Sequence, residues 1–301
     1  MLGLDIDAAQ HRLERARRDL LAVRNRRVPP ARDDKRLTAW NALAIAGLAR
    51  AGRLLDDAAL IAQADAALAT LRRLAWRGGR LHALADPRAG GEGYLDDYAF
   101  LLDAVLELLQ CRWRDVDLDF ALALAAALRA RFEDAGRGRF YFTAHDAEPL
   151  IQRPKPWLDE SLPAGNAVAI RALLQLGHLT GDGDCLTAAG RALDAAQSVL
   201  DHHPQAAPGL LRALRAAIVP PPQVVVRTDA GSAAAWQAAA RAASSDVTVF
   251  LIPDDATALP GLLAQRVARA GGVAWVCEGS SCREPLTTPD AFGAALREAG
   301  A

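Results

Sequence analysis

Apolar residues recur every three or four positions through most of the first 219 residues, which is the spacing of one buried helix face. Short loops rich in Gly and Asp separate these stretches, and short loops favour antiparallel neighbours. The pattern therefore predicts repeated helical hairpins. The predicted helices span about 7–27, 37–50, 58–75, 95–110, 115–132, 165–180, 184–200 and 207–217, with a short strand at 139–143.

The pattern changes after Pro220-Pro221-Pro222. Short apolar runs at 224–226, 247–252 and 273–277 alternate with helical stretches at about 231–243, 257–269 and 289–299. Strands that alternate with helices predict a small parallel βαβ sheet. We therefore expect a mainly α protein with two domains, a helical one at 1–219 and a small α/β one at 220–301.

Composition and charge narrow the class of protein. The chain has 301 residues, 51% hydrophobic and 24% charged, with a formal net charge of -1. A net charge this close to zero gives no excess of positive charge that would attract nucleic acid or a membrane surface. The chain also has no run approaching the roughly 18 apolar residues of a membrane span, and its start does not resemble a signal peptide. We expect a soluble, cytoplasmic protein that binds neither nucleic acid nor membrane.

Three polar clusters lie at or before the starts of predicted helices, at nearly equal intervals along the chain. If the hairpins are neighbours, these clusters converge at one end of the bundle. Asp33, Asp34, Trp40 and Asn41 form the first cluster, Asp96, Asp97 and Tyr98 the second, and Lys155, Asp159 and Asn166 the third.

Carboxylates from different helices can act together as a general acid and base, as in glycoside hydrolysis. An indole beside amide and carboxylate groups is also a suitable platform for a sugar. We therefore take the five aspartates as candidate catalytic residues and Trp40, Asn41, Tyr98, Lys155 and Asn166 as candidate substrate-binding residues. Alternatively, the aspartates are helix caps, and for Asp33 or Asp34 chemistry alone favours capping.

The cysteines suggest a second kind of chemistry. Four residues separate Cys277 from Cys282, a spacing that permits a disulfide or half a metal site. No second ligand pair accompanies them, so we predict no metal and no cofactor. Reduced thiols are expected, and a redox role for the pair stays open. Cys111 and Cys185 fall in helical segments and are expected to be small buried apolar residues.

Four segments, in order, resemble the spermatogenesis-associated protein 20 / YyaL family of thioredoxin-domain-containing proteins. The resemblance extends over essentially the whole chain, and Ala164 departs from it where the family usually has Ser. The segments are Asp33-Asp34-Lys35 with Leu37, Trp40 and Asn41; Gly93–Phe100; Arg153-Pro154-Lys155 leading to Asp159 and Pro163–Asn166; and Cys277 with Cys282 and Pro285.

The resemblance implies a thioredoxin-like domain followed by an (α/α)6 toroid related to N-acylglucosamine 2-epimerases and six-hairpin glycosidases. This chain would then hold a partial toroid and a small C-terminal α/β domain. The implied activity is hydrolysis or epimerisation of a sugar derivative. The alternatives are a scaffold, non-enzymatic or redox-linked, whose chemistry lies in a thioredoxin-like domain absent here, and a remnant without function.

A partial toroid also predicts apolar surface where missing hairpins would dock, near the first helix at 7–27. The expected partners are therefore a sugar-like small molecule, the missing N-terminal half, or a second copy of the chain.

Overall fold

The computed structural model describes residues 5–88, 91–241 and 247–299. The chain divides into two compact units, Met1–Lys35 and Arg36–Ala301. In its described residues the first contains one helix, α1 (Ile6–Arg24), whose N-terminus is capped by the side chain of Asp5. Its apolar residues lie in solvent, with Leu13 52% and Leu20 71% exposed. The exposed apolar residues expected around the first helix are therefore present.

Seven further helices come next along the chain, in the second unit. They are α2 (Thr38–Leu55), α3 (Ala58–Ala75), α4 (Leu95–Cys111), α5 (Asp115–Phe132), α6 (Gly165–Thr180), α7 (Gly183–His202) and α8 (Pro208–Ile218). Adjacent helices pair as the hairpins α2–α3, α4–α5 and α6–α7, and α2, α4, α6 and α8 pack against one another in that order. The prediction of a mainly helical chain built from hairpins is confirmed.

Local sequence explains where these helices begin and end. Asp57 and Asp182 accept backbone N–H groups at the starts of α3 and α7, as N-caps do. Gly181 ends α6 at a φ of 76°, in the left-handed region where glycine is favoured. The most deeply buried helix is α4, because its Leu, Ala, Val and Phe side chains pack against α2, α5 and α6.

Two small hairpins follow the ends of α3 and α5. Their strands are β1 (Trp76–Arg77), β2 (Arg80–Leu81), β3 (Glu133–Asp134) and β4 (Arg139–Phe140), and each pair is antiparallel. The strand predicted at 139–143 is therefore only two residues long. The sequence pattern did not indicate the other three strands, because two residues are too few to show alternation.

The C-terminal part contains a four-stranded sheet in the order β6-β5-β7-β8. Its strands are β5 (Gln223–Thr228), β6 (Thr248–Pro253), β7 (Val273–Glu278) and β8 (Ser281–Cys282). The prediction of a parallel sheet is correct for one pair of strands, because β6 runs parallel to β5. It is wrong for β7, which runs antiparallel to β5. A parallel return needs a crossover along the sheet, usually a full helix. The connection from β6 to β7 contains only the five-residue α10 (Gly261–Gln265).

The sheet is covered on both faces. On one face, Val224 and Val226 pack with Trp236 of α9 (Ala233–Ala240) and Phe292 of α11 (Pro289–Ala299). On the other face, Val225 joins the same hydrophobic core as the helical hairpins. The sheet and the hairpins thus share a core, and the domain boundary at 219/220 stays a prediction. The last two residues of the helix expected at 231–243 lie outside the described residues.

Within the described ranges, no helix combines the length and the apolar content needed to cross a bilayer.

Candidate functional site

The first turns of α2 and α4 are joined by the carboxylate of Asp97. Its Oδ1 accepts a hydrogen bond from the backbone N–H of Ala39 in α2, at 2.8 Å. Its Oδ2 accepts from the N–H of Tyr94, also at 2.8 Å, which closes a capping box at the start of α4. Asp97 is 4% exposed, so both oxygens are occupied inside the fold.

The first turns of α4 and α6 meet at Asp96 and Gly165. A Cβ on Gly165 would overlap Asp96 Oδ1, so a side chain at this position would displace the Asp96 carboxyl group. That oxygen is buried and has no hydrogen-bond partner among the described residues. The starts of α2, α4 and α6 therefore lie at one end of the bundle, as the spacing of the polar clusters predicted.

The two adjacent carboxyl groups titrate well above an ordinary aspartate. Burial raises the pKa of Asp96 to about 6. Burial also raises the pKa of Asp97 to about 7, although the N–H groups of Tyr94 and Ala39 act in the opposite direction. A carboxyl group with a pKa near neutrality can donate a proton at physiological pH, which suits a general acid.

Asp159 joins the starts of α6 and α8. Its Oδ1 accepts from the N–H of Ala164, at 2.7 Å, and its Oδ2 accepts from the N–H of Gly209, at 2.6 Å. Both oxygens therefore bind backbone groups. The structure places this predicted catalytic residue at the same end of the bundle, in a bridging position between helices.

Asn166 and Tyr98 also bind the backbone of the fold. Asn166 is fully buried, and its amide bonds to Phe140 N and O and to Pro156 O. The hydroxyl oxygen of Tyr98 accepts the N–H of Leu81, at 2.8 Å, and the residue is buried. These contacts hold the hairpin and loop segments around the helix starts.

Two aromatic rings at this end face solvent. Trp40, on the first turn of α2, is 61% exposed. The neighbouring Asn41 instead donates its side-chain amide to the backbone oxygen of Leu37, four residues earlier, at 2.8 Å. Tyr94 precedes α4 and stacks on Phe142, with ring centroids 4.9 Å apart. Tyr94 falls within the segment Gly93–Phe100, but it was not predicted from the sequence as a binding residue.

Lys155 belongs to a compact cationic cluster beside the helix starts. The Tyr141 ring has two cations over it, Arg153 Cζ at 3.7 Å and Lys155 Nζ at 3.9 Å from its centroid. Lys155 and the Tyr141 hydroxyl both donate to Asp134 Oδ2. The hydrogen bond from Lys155 is the main cause that lowers the pKa of Asp134 to about 2. Sequence reasoning missed Tyr141 and Asp134.

Asp33 and Asp34 lie in the first compact unit and are exposed. Asp33 pairs with Lys35 and Asp34 with Arg32. The suggestion that one of them caps the next helix is wrong, because the N-cap of α2 is Leu37 and the side chain that accepts an N–H of the first turn is that of Asp97. Both acids bind charged neighbours in their own segment instead.

Sequence reasoning also missed two buried acids on α4. Asp103 pairs with Arg171 of α6 at 2.6 Å, and Glu107 pairs with Arg50 of α2. At about 100° per residue, Asp96, Asp103 and Glu107 lie on one stripe of α4. The sequence signal that could have indicated them is the spacing of these three acidic residues, seven and four positions apart in a mostly apolar helix.

The cysteine pair lies in the C-terminal sheet. Cys277 on β7 and Cys282 on β8 are joined by a disulfide, so the expectation of reduced thiols is wrong for this pair. The reason is the hairpin register, which places the two residues directly opposite each other. Cys185 is buried as predicted, and Cys111 is partly buried. The described residues contain no group of three or more potential metal ligands among His, Cys, Asp and Glu.

Fold and site together define a helical-hairpin protein whose helix starts carry buried carboxyl groups. Among solved structures, the GH76 alpha-mannanase of Bacteroides thetaiotaomicron is 15% identical, with a TM-score of 0.47 over 57% of this chain and 46% of that chain. The cellobiose 2-epimerase of Bacillus thermoamylovorans is 15% identical, with a TM-score of 0.44 over 54% and 44%.

Sequence relatives identify the chain more closely. It is 29% identical to human spermatogenesis-associated protein 20 over 95% of this chain and 39% of that protein. It is 31% identical to the rat protein over 71% of this chain and 29% of that protein. The chain is therefore a homologue of spermatogenesis-associated protein 20, as its motifs predicted, and spans well under half the length of these relatives. No family model matches it.

Proposed function

We propose that the end of the bundle where α2, α4 and α6 begin binds a sugar-like small molecule, with Asp96 as general acid for hydrolysis or epimerisation. The carboxyl group of Asp96 carries this proposal. One of its oxygens is buried and free of hydrogen bonds among the described residues, and burial raises its pKa to about 6. Asp97 and Asp159, by contrast, have both oxygens bound to backbone N–H groups.

Exposed aromatic surface supplies the binding part of the proposal. Trp40 and Tyr94 are 61% and 44% exposed, and each lies on or beside the first turn of a helix that carries the site. Aromatic faces accept the C–H surface of a sugar, while carboxylates bind its hydroxyl groups. A cytoplasmic location belongs to the same proposal.

A second candidate function is a scaffold without catalytic activity. The observation that favours it is that Asp97, Asp159, Asn166 and Tyr98 all use their polar atoms to hold backbone groups of the fold. A redox-linked form of this scaffold would place its chemistry in a thioredoxin-like domain outside this chain.

Replacement of Asp96 separates the two candidates. Cellobiose and α-1,6-mannotriose serve as probes, with binding measured by calorimetry and products by chromatography. If Asp96 is the general acid, Asp96→Asn lowers turnover by about 100-fold or more and leaves probe affinity within about threefold. Trp40→Ala is expected to weaken binding by about three- to tenfold without loss of fold.

Asp119→Asn is the matched control, because Asp119 is an exposed aspartate of α5. It is expected to behave like the wild type in both assays. Failure of the wild-type chain to bind either probe, or unchanged turnover in Asp96→Asn, would rule out Asp96 as general acid and favour the scaffold.

A further inference from the structure

A buried arginine lies against the disulfide of the C-terminal sheet. Arg266 follows α10 and is 6% exposed. Its Nη2 lies 3.4 Å from Cys277 Sγ and 4.0 Å from Cys282 Sγ. Its Nη1 is buried and has no hydrogen-bond partner among the described residues, and none of their carboxylates forms an ion pair with Arg266. A buried cation without a counter-ion is unfavourable, so its position at two sulfur atoms calls for an explanation.

The two sulfur atoms differ in accessibility. Cys277 is 3% exposed, on a strand inside the sheet, whereas Cys282 is exposed on the edge strand β8. A thiolate from solution therefore meets Cys282 first. When it attacks Cys282 Sγ, the bonding electrons leave with Cys277 Sγ, which is the sulfur nearer to Arg266.

The hairpin is also held without the disulfide. Arg283 N donates to Val276 O, at 2.9 Å, beyond the cysteine pair. Ala274 and Leu286 exchange two backbone hydrogen bonds, each at 2.8 Å. These bonds keep Cys277 and Cys282 opposite each other when the sulfur–sulfur bond is open. The bond encloses only four intervening residues, so it constrains the unfolded chain weakly.

We infer that Cys277 and Cys282 form a reversible dithiol–disulfide couple, in which Arg266 is a positioning residue that stabilises the Cys277 thiolate. The couple reacts with a dithiol reductant, either small or of the protein dithiol class. A thiolate next to a guanidinium is stabilised, which is how proteins activate redox cysteines. Burial lowers the pKa of Arg266, and a thiolate at Cys277 would supply the missing counter-ion.

The exchange balances in two steps. One thiolate of the reductant bonds to Cys282 Sγ, the disulfide breaks, and Cys277 leaves as a thiolate. The second thiol of the reductant, as a thiolate, then attacks the reductant's first sulfur, which is bonded to Cys282 Sγ in the mixed disulfide. The reductant closes its own disulfide, and Cys282 is released and takes up a proton. The protein gains two electrons, and the reductant loses two and becomes a disulfide.

Three charged residues near the hairpin, Glu278, Arg283 and Arg227, have partners of their own. Glu278 and Arg283 form an exposed ion pair at 3.0 Å. Arg227 donates to the backbone oxygen of Arg266, at 3.1 Å, and to the oxygens of Asp254 and Ala256. Arg227 thus fixes the backbone from which the Arg266 side chain extends.

The redox equilibrium of the full chain tests the inference. The protein is equilibrated with mixtures of reduced and oxidised dithiothreitol and acid-quenched, and its thiols are alkylated and assigned by peptide mass spectrometry. Peptide resolution separates this pair from Cys111 and Cys185. Arg266→Met keeps the size and removes the charge, and it is expected to need about tenfold more reductant for half-reduction. Arg266→Lys is expected to restore the equilibrium to within about threefold.

Arg283→Met is the matched control, because it removes a nearby exposed cation of the same hairpin. It is expected to shift the equilibrium by less than twofold. An equal shift in Arg283→Met and Arg266→Met, or no shift in Arg266→Met, would overturn the role of Arg266.

The direction of attack is tested in the wild-type chain. Excess glutathione followed by acid quench is expected to leave the mixed disulfide on Cys282. Glutathione found mainly on Cys277 contradicts the proposed order. A disulfide that is reduced only after the chain is unfolded contradicts the couple itself.

Discussion

Two neighbouring carboxyl groups show how strongly position alters a residue. Asp96 and Asp97 are adjacent in sequence, yet Asp97 binds two backbone N–H groups and Asp96 Oδ1 binds none among the described residues. The sequence predicted both as candidate catalytic residues of one site. It did not distinguish them, because one partner of Asp97 is Ala39, 58 residues earlier in the chain.

The raised pKa values predict a pH dependence of stability. The pKa of Asp96 is about 6 and that of Asp97 about 7 in the folded chain, against 3.8 for an ordinary aspartate. Between about pH 4 and 7 the folded state therefore binds more protons than the unfolded state. These two groups stabilise the fold below about pH 4, and the contribution is lost as the pH rises through about 7.

Urea unfolding at pH 4.5, 6 and 8 measures this slope. Asp96→Asn is expected to remove the change in the free energy of unfolding that arises below about pH 6, on the order of 2 kcal/mol. Asp119→Asn, at an exposed position, should retain the wild-type slope. A slope that is identical in Asp96→Asn and the wild type would mean that Asp96 is not perturbed by burial.

Among the helices and strands, the bounds of the long helices followed closely from periodicity. For example, the predicted helices at 58–75, 115–132 and 165–180 match α3, α5 and α6. The two-residue strands and the direction of β7 did not follow. Strand pairing depends on where the chain re-enters the sheet, and α10 is much shorter than the helix predicted there.

The contact between α4 and α6 predicts opposite effects for two helical glycines. Gly165→Ala places a Cβ in overlap with Asp96 Oδ1 and close to Leu95 Cγ, so we expect a loss of about 1–3 kcal/mol in the free energy of unfolding. A Cβ added to Gly190 of α7 would meet nothing within 4 Å, so Gly190→Ala should be neutral or stabilise by up to about 1 kcal/mol. Chemical denaturation compares them, and equal effects would contradict the close helix approach.

At the scale of the whole molecule, α1 carries more exposed large apolar residues than any other helix of the described residues. Besides Leu13 and Leu20, Leu21 and Val23 are 50% and 53% exposed. The sequence predicted apolar surface near this helix from its resemblance to a longer protein.

We therefore expect the isolated chain to associate with a second copy as its concentration rises, because exposed apolar surface favours contact. Sedimentation velocity measures this. The double variant Leu13→Gln and Leu20→Gln should reduce association, while Arg12→Gln with Arg18→Gln, on the same helix, should not. A monodisperse wild-type monomer that binds no apolar dye would contradict the expectation.

The amino-acid sequence was sufficient to predict the helical hairpins, the polar helix starts and the relationship to spermatogenesis-associated protein 20. These follow from local periodicity, capping chemistry and motif order, which need no knowledge of distant contacts. The three-dimensional packing was needed to show that Asp96 Oδ1, unlike both carboxylate oxygens of Asp97, has no hydrogen-bond partner among the described residues. It was also needed to place Arg266 beside the Cys277–Cys282 disulfide. Both depend on residues that are not neighbours in the chain, because packing decides which groups are buried together.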